Sequence, residues 1–359
     1  MNTGVILGQM LVLLAMMAVG FWCYKKKWIT EETSGQLSKL VVNVFNPVLV
    51  VNGVLGQNSS EAGNNIGFNI GFIVLYFVIL CIAGILMLFI LKPQEGQKNI
   101  YRLMTVFSNV GFMGIPVIRS IFGDGAMIYV AFYILAYNIM LYTYGMYLAR
   151  KSGEEYRSRA VYYLEVFAAN DARKEELKKK AAGKKKKAAK SSRQEVISTQ
   201  QTVPEAKSFW QQMINPGVIA AVIAVIIFVA DLTLPEAVCS FCDYMGNTTI
   251  PLSMVLIGVS MAQANMREVF TDWRIYMFVL LRMVVLPLAM IFLLSGVVRS
   301  FAISPIVFGV FIIELGMPVG SIITLMTREQ GGDVAYCTKG VVLSTLASIL
   351  TIPLICSFL

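Results

Sequence analysis

Apolar residues come in long runs separated by short polar stretches, and no polar face recurs at helical spacing within the runs. Ten runs predict membrane-crossing helices: 5–24, 38–56, 67–91, 100–120, 127–149, 216–234, 244–263, 275–297, 304–326 and 336–357. Each has about 20 residues, enough to carry a helix across a hydrocarbon core. Composition agrees: of 359 residues, 57% are apolar and 14% charged, whereas a soluble domain carries about 25% charge. The pattern predicts an all-α polytopic membrane protein.

The net charge of +9 is unevenly placed. Lys25, Lys26, Lys27 and Lys39 follow the first run, and Lys92, Lys98 and Arg102 follow the third. Sixteen basic residues lie between Arg150 and Lys207, Arg267, Arg274 and Arg282 follow the seventh run, and Arg328 and Lys339 follow the ninth. The alternate connections hold only Arg119 and Arg299, a count of 28 against 2. Basic loops stay cytosolic, so both termini are expected outside the cell membrane and the long loop inside. Trp22, Trp28, Trp210 and Trp273 all fall at the expected cytosolic ends, where an amphipathic ring suits the interface. Met1–Thr3 offer no basic n-region, so a cleaved signal peptide is not expected.

The chain thus divides into a first five-helix unit (1–149), a basic cytosolic loop (150–215) and a second five-helix unit (216–359). The loop contains KKKAAGKKKKAAK at 178–190 and no apolar stripe to pack, which predicts a largely disordered, solvated segment. A contact with anionic membrane lipid is the sharper alternative. Nucleic acid is not expected, because no aromatic platform accompanies the lysines.

The chain has no histidine, which removes His-ligated metal centres, His acid–base relays and His-dependent nucleophilic sites together. Of six cysteines, Cys23, Cys81, Cys337 and Cys356 lie in or beside runs as small apolar groups. Cys239 and Cys242 form an isolated CxxC, without the spacing of a zinc or thioredoxin-like site.

Proline placement suggests a repeat. Asn46-Pro47 in the second run and Ile250-Pro251 in the seventh are 204 residues apart. Gly114-Ile115-Pro116-Val117 in the fourth and Gly316-Met317-Pro318-Val319 in the ninth are 202 apart, and Gly123-Asp124 and Gly332-Asp333 are 209 apart. A unit of five spans enters the membrane the second time with opposite sense, giving two inverted five-helix repeats. Proline removes an N–H and clashes with the carbonyl four residues back, so the fourth and ninth helices are expected to break at Pro116 and Pro318 and to cross. Such breaks survive only where protein or a water-filled cavity covers the freed backbone, and half-helix N-termini there attract anions.

Polar residues near these breaks are the candidate substrate contacts: Asn109, Gly114 and Pro116, then Glu314, Gly316, Pro318 and Ser321. Asn46 and Asn52 flank Pro47, Ser253 follows Pro251, and Asn138 sits in the fifth run. An intramembrane carboxylate is costly, which marks Glu314 for a coupling proton or sodium ion, or for pairing with Arg282. The alternative is a protonated Glu314 bonded to an opened backbone carbonyl. Arg282 itself is expected to snorkel to the cytosolic interface.

The strings SNVGFMGIPVI (108–118), PLSMVLIGVSMA (251–262), MPVGSIITLMTREQGGD (317–333) and VVLSTLASILTIPLI (341–355) resemble the auxin efflux carrier family, and within it the bacterial malate or malonate permease-type members. The resemblance spans both membrane units and excludes the lysine-rich loop. It implies ten helices in two inverted repeats, crossover helices broken at Pro116 and Pro318, and transport of small organic acid anions. In the plant carriers an asparagine follows each crossover proline and helps hold the substrate carboxylate. Val117 and Val319 stand there in this chain, which argues against auxin and transfers that role to backbone N–H groups, Asn109 or Ser321.

The expectation is therefore a secondary transporter of small mono- or dicarboxylates, such as malate, working by alternating access without a resident cofactor. A homodimer is compatible with the sequence. A channel or sensor on the same fold remains an alternative. An intramembrane aspartyl enzyme is disfavoured, because neither Asp124 nor Asp333 sits in a GxGD string.

Overall fold

Uninterrupted apolar sequence has one stable form away from water, a helix that satisfies its own backbone. The computed structural model describes residues 3–55, 59–94, 96–159, 216–263 and 269–359, and they are helical throughout apart from turns and one isolated antiparallel bridge. In chain order the helices are α1 (Thr3–Lys25), α2 (31–52), α3 (Ser59–Leu91), α4 (Lys98–Val106), α5 (Val110–Phe122) and α6 (Met127–Arg159). They continue with α7 (Pro216–Val229), α8 (Glu236–Gln263), α9 (Trp273–Ser300), α10 (Pro305–Gly316), α11 (Ile322–Glu329) and α12 (Val334–Cys356). Side-chain oxygens of Thr30, Asp272, Ser304 and Asp333 cap α2, α9, α10 and α12. Gly123 and Gly331, at φ +75° and +68°, turn the chain out of α5 and α11.

Among the described residues, five stretches are long and apolar enough to cross a membrane: Asn65–Leu91, Met127–Arg159, Glu236–Gln263, Trp273–Ser300 and Val334–Cys356. The outward faces are apolar too. Val74, Ile82, Leu86 and Phe89 on α3, Ile226 and Val229 on α7, and Phe292 and Leu293 on α9 are exposed. A water-facing surface would not carry such a belt. Trp22 and Trp28 meet edge to face beside the Lys25–Lys27 turn, at 4.8 Å between ring centroids.

Close packing rests on small residues. A Cβ at Gly20 would overlap the Val255 carbonyl and one at Gly258 would overlap the Met17 carbonyl, so α1 and α8 touch backbone to backbone. The buried core holds Tyr76, Leu80, Tyr101, Phe107, Tyr133, Phe278 and Phe311, drawn from α3, α4, α6, α9, α10 and the segment after α4.

The fourth apolar run does not break at Pro116. It breaks at Phe107–Asn109, and Pro116 lies inside the continuous helix α5. The cause is a widened turn. Residues Val110–Gly114 form one π-type turn, in which Ile115 N–H reaches back to the Val110 carbonyl, and the extra residue relieves the clash with proline's ring. Pro47 follows such a turn at Val41–Phe45, and Pro287 follows one at Leu281–Val285. In these three helices the chain stays helical through the proline. In the ninth run Pro318 does stand in the break, between α10 and α11.

The predicted loop also begins later than residue 150. α6 continues to Arg159, held by Arg157 donating to the Gln330 carbonyl (2.9 Å) and by Asn99 donating to Glu155 (2.7 Å). Residues 160–215, with the lysine-rich string and Trp210, lie outside the described residues.

Candidate functional site

The two breaks meet. Ser108 and Val319 form the antiparallel bridge: Asn109 N–H donates to the Pro318 carbonyl (2.7 Å) and Gly320 N–H to the Phe107 carbonyl (2.9 Å). Val319 N–H donates to Ser344 Oγ on α12 (3.0 Å). Gly320 is required by close approach, since a Cβ there would lie 2.8 Å from the Ser108 carbonyl oxygen. The crossing thus joins two half-helix C-termini, of α4 and α10, to two N-termini, of α5 and α11.

At the C-terminal side sits Arg282, 1% exposed. Its Nε donates to the Thr105 carbonyl (2.9 Å), and its two terminal nitrogens donate to the Leu315 carbonyl and to Ser108 Oγ. Tyr76 completes the set, 2.8 Å from Ser108 Oγ. The guanidinium thereby satisfies carbonyls that opening the helices left unbonded. It does not snorkel.

Glu314 makes no ion pair with Arg282. It is 0% exposed and neither carboxyl oxygen has a hydrogen-bond partner, so no opened carbonyl pairs with it either. Its carboxyl lies against Gly114, where a Cβ would come within 2.6 Å of Oε1. The Tyr133 hydroxyl is likewise buried and unpartnered.

At the N-terminal side lies a half-open cleft with a cavity volume of about 80 Å3. Val110, Gly111, Ser321 and Ile322 contribute the first turns of α5 and α11 to its wall, and their N–H groups find no acceptor among the described residues. Asn109 caps α5 by accepting from Phe112 N–H (3.3 Å). Asn138 donates to the Ile134 carbonyl (2.8 Å), and Asn46 Oδ1 is buried and unpartnered. Among the described residues, no lysine, arginine, aspartate or glutamate lines the cleft.

Of the candidate residues, Asn109, Ser321, Asn46 and Asn138 come together on this wall. Gly114, Pro116, Glu314, Gly316 and Pro318 do not line it. Gly316 packs on Ile355, and Asn52 packs on Gly246 of α8. Ser253 is buried and donates to the Thr249 carbonyl (2.6 Å) within α8. Sequence reasoning missed Asn43, Ser108, Tyr137 and Tyr142 as lining residues. Asn43 was within reach, since Asn43 and Asn46 stand three apart on one face of an apolar helix. Cys239 and Cys242 are free thiols, and the described residues contain no cluster suited to a metal ion.

No curated protein matches the chain at a significant level. A family model does, over residues 5–356, with the description "membrane transport protein". Near-complete coverage, together with the crossed helices and the apolar belt, settles the family: the chain belongs to the auxin efflux carrier-like membrane transporters.

Proposed function

We propose that the protein is a secondary transporter of small organic acid anions, mono- or dicarboxylates such as malate, operating by alternating access across a cell membrane. The observation that carries this reading is the cleft at the N-termini of α5 and α11. Two helix N-termini supply about +0.5 charge each, and their free N–H groups suit a carboxylate without a basic side chain. The uncharged Asn109, Asn138, Asn46 and Ser321 add hydrogen bonds that orient it and let it leave.

In this reading α4–α5 and α10–α11 are the crossover helices of two inverted five-helix repeats, making ten passes, with both termini outside and the basic loop cytosolic. The bridge partners Ser108 and Val319 stand 211 residues apart, near the 209 of the Gly-Asp steps rather than the 202 of the proline strings. Pro216 and Gly217, which line the cleft, directly follow the basic loop in the chain, and with that loop cytosolic this reading has the cleft open to the cytosol. The test is counterflow in proteoliposomes of purified protein, with labelled mono- and dicarboxylates. Exchange of at least one is expected, and absence of exchange for all of them rejects the reading.

A further inference from the structure

Glu314 has no role in the cleft, yet a bare carboxylate is among the most expensive groups to bury. It lies in α10 one turn before the break, wholly buried, with both oxygens unpartnered and Gly114 of α5 making room for them. The titratable or charged groups that face it are few. Tyr76 comes from α3, Tyr133 and Tyr137 come from α6, and Arg282 of α9 is turned to the carbonyls of Thr105 and Leu315. α5 presents only Gly114, and the ionisable groups of α12, Tyr336, Cys337, Lys339 and Cys356, stand near its ends. None of these groups makes an ion pair with the carboxyl or donates to it, whereas a carboxylic acid needs no counter-charge.

Sodium is poorly served by the same surroundings. Ions of that kind are held by carbonyls of unwound backbone at half-helix C-termini. Two of those carbonyls, of Thr105 and Leu315, are already taken by the Arg282 guanidinium. The chain has no histidine to relay a proton instead.

We infer that Glu314 is the proton-carrying group of the transport cycle, neutral in this closed arrangement and exposed when α10 moves off α5, so that anion movement is coupled to protons and not to sodium. This rests on the transport reading above. The step is proton transfer alone: the carboxylate takes a proton from water on one side of the membrane, and the acid returns it to water on the other.

The experiment compares wild type with Glu314→Gln in proteoliposomes, using labelled malate, succinate and lactate. Wild type is expected to show counterflow and to concentrate its substrate when the lumen is alkaline. At one proton per monoanion, one pH unit sustains up to about tenfold accumulation. A sodium gradient is expected to add nothing. Glu314→Gln is expected to keep counterflow and lose the response to pH. Concentration by Glu314→Gln under a pH gradient, or sodium-driven uptake by wild type, overturns the inference. Absence of wild-type counterflow rejects the transport reading instead. An infrared spectrum needs no turnover: at pH 8, where exposed carboxyls are ionised, the wild type is expected to retain a protonated-carboxyl stretch, and its absence overturns the inference.

Discussion

Replacing Arg282 tests the crossing at its most concentrated point. Arg282→Met keeps an unbranched apolar stem, shorter than that of arginine, and removes every donor. The carbonyls of Thr105 and Leu315 then lose their bonds from Arg282, and Ser108 Oγ keeps Tyr76. An orphaned buried carbonyl costs about 1–3 kcal/mol, so the pair costs about 2–6. Hydrogen bonds in lipid are worth less than this suggests, because the unfolded reference state also finds partners, which favours the lower half of the range. A loss of about 2–4 kcal/mol is a large fraction of a total near 5–15. Arg282→Lys retains the charge but presents one compact ammonium where a planar fork reached three acceptors, so it recovers only part of the loss. Thermal unfolding in detergent, followed by tryptophan fluorescence, is expected to rank wild type above Lys and Lys above Met. Counterflow is expected to fall in the same order. If Arg282→Met unfolds within about 0.5 kcal/mol of wild type, the scale of an unremarkable surface change, the guanidinium does not hold the crossing and the reasoning fails.

Three further outcomes follow from the same geometry. Gly320→Ala places a Cβ 2.8 Å from the Ser108 carbonyl oxygen and 3.1 Å from the Tyr137 hydroxyl; it is expected to cost about 1–3 kcal/mol by overpacking and to depress counterflow, and wild-type rates reject the close approach. Gly258→Leu drives a side chain into the Met17 carbonyl and is expected to separate α1 from α8, read as a lower unfolding midpoint and a broadened size-exclusion peak, whereas Gly296→Leu, with open space around its Cβ position, is expected to change neither. Asn109→Ala removes the cap on α5, at about 1 kcal/mol, together with a carboxamide of the cleft wall, so substrate affinity is expected to weaken while folding survives; unchanged affinity removes Asn109 from the site.

The helices and their belt were legible because bilayer thickness sets a length that composition alone exposes. The breaks were only half legible. Proline marks a missing donor, but whether the helix opens or widens depends on the turn before it, and Val110–Gly114 widened where Met317–Gly320 opened. Matching the two Gly-x-Pro-Val strings therefore paired a stretch that follows one break with a stretch that straddles the other. Glu314 and Arg282 were legible as anomalies in apolar runs, yet their mutual pairing was the wrong guess. Sequence gives no account of carbonyls freed elsewhere, and two of those, on α4 and α10, claimed the guanidinium first. The asparagines of the cleft were found by type, but Tyr137 and Tyr142 were hidden among aromatic residues of an ordinary apolar helix.

The charges at the crossing connect the cleft to Glu314. Two N-termini contribute about +1 in sum and two C-termini about −1, and Arg282 adds a full positive charge. With Glu314 neutral, the crossing carries about one positive charge in excess, which a single bound carboxylate cancels. With Glu314 ionised the excess disappears, and an incoming anion meets no net attraction. Protonation of Glu314 and anion binding then favour each other, and by reciprocity the anion raises proton affinity by the same factor that the proton raises anion affinity. That linkage is what a symporter requires of two sites that do not touch. It predicts that anion affinity in wild type strengthens as pH falls, on whichever side Glu314 is exposed, and that Glu314→Gln holds the high-affinity value at every pH. Isothermal binding measured from pH 6 to pH 9 tests it, and parallel pH profiles for the two proteins refute it.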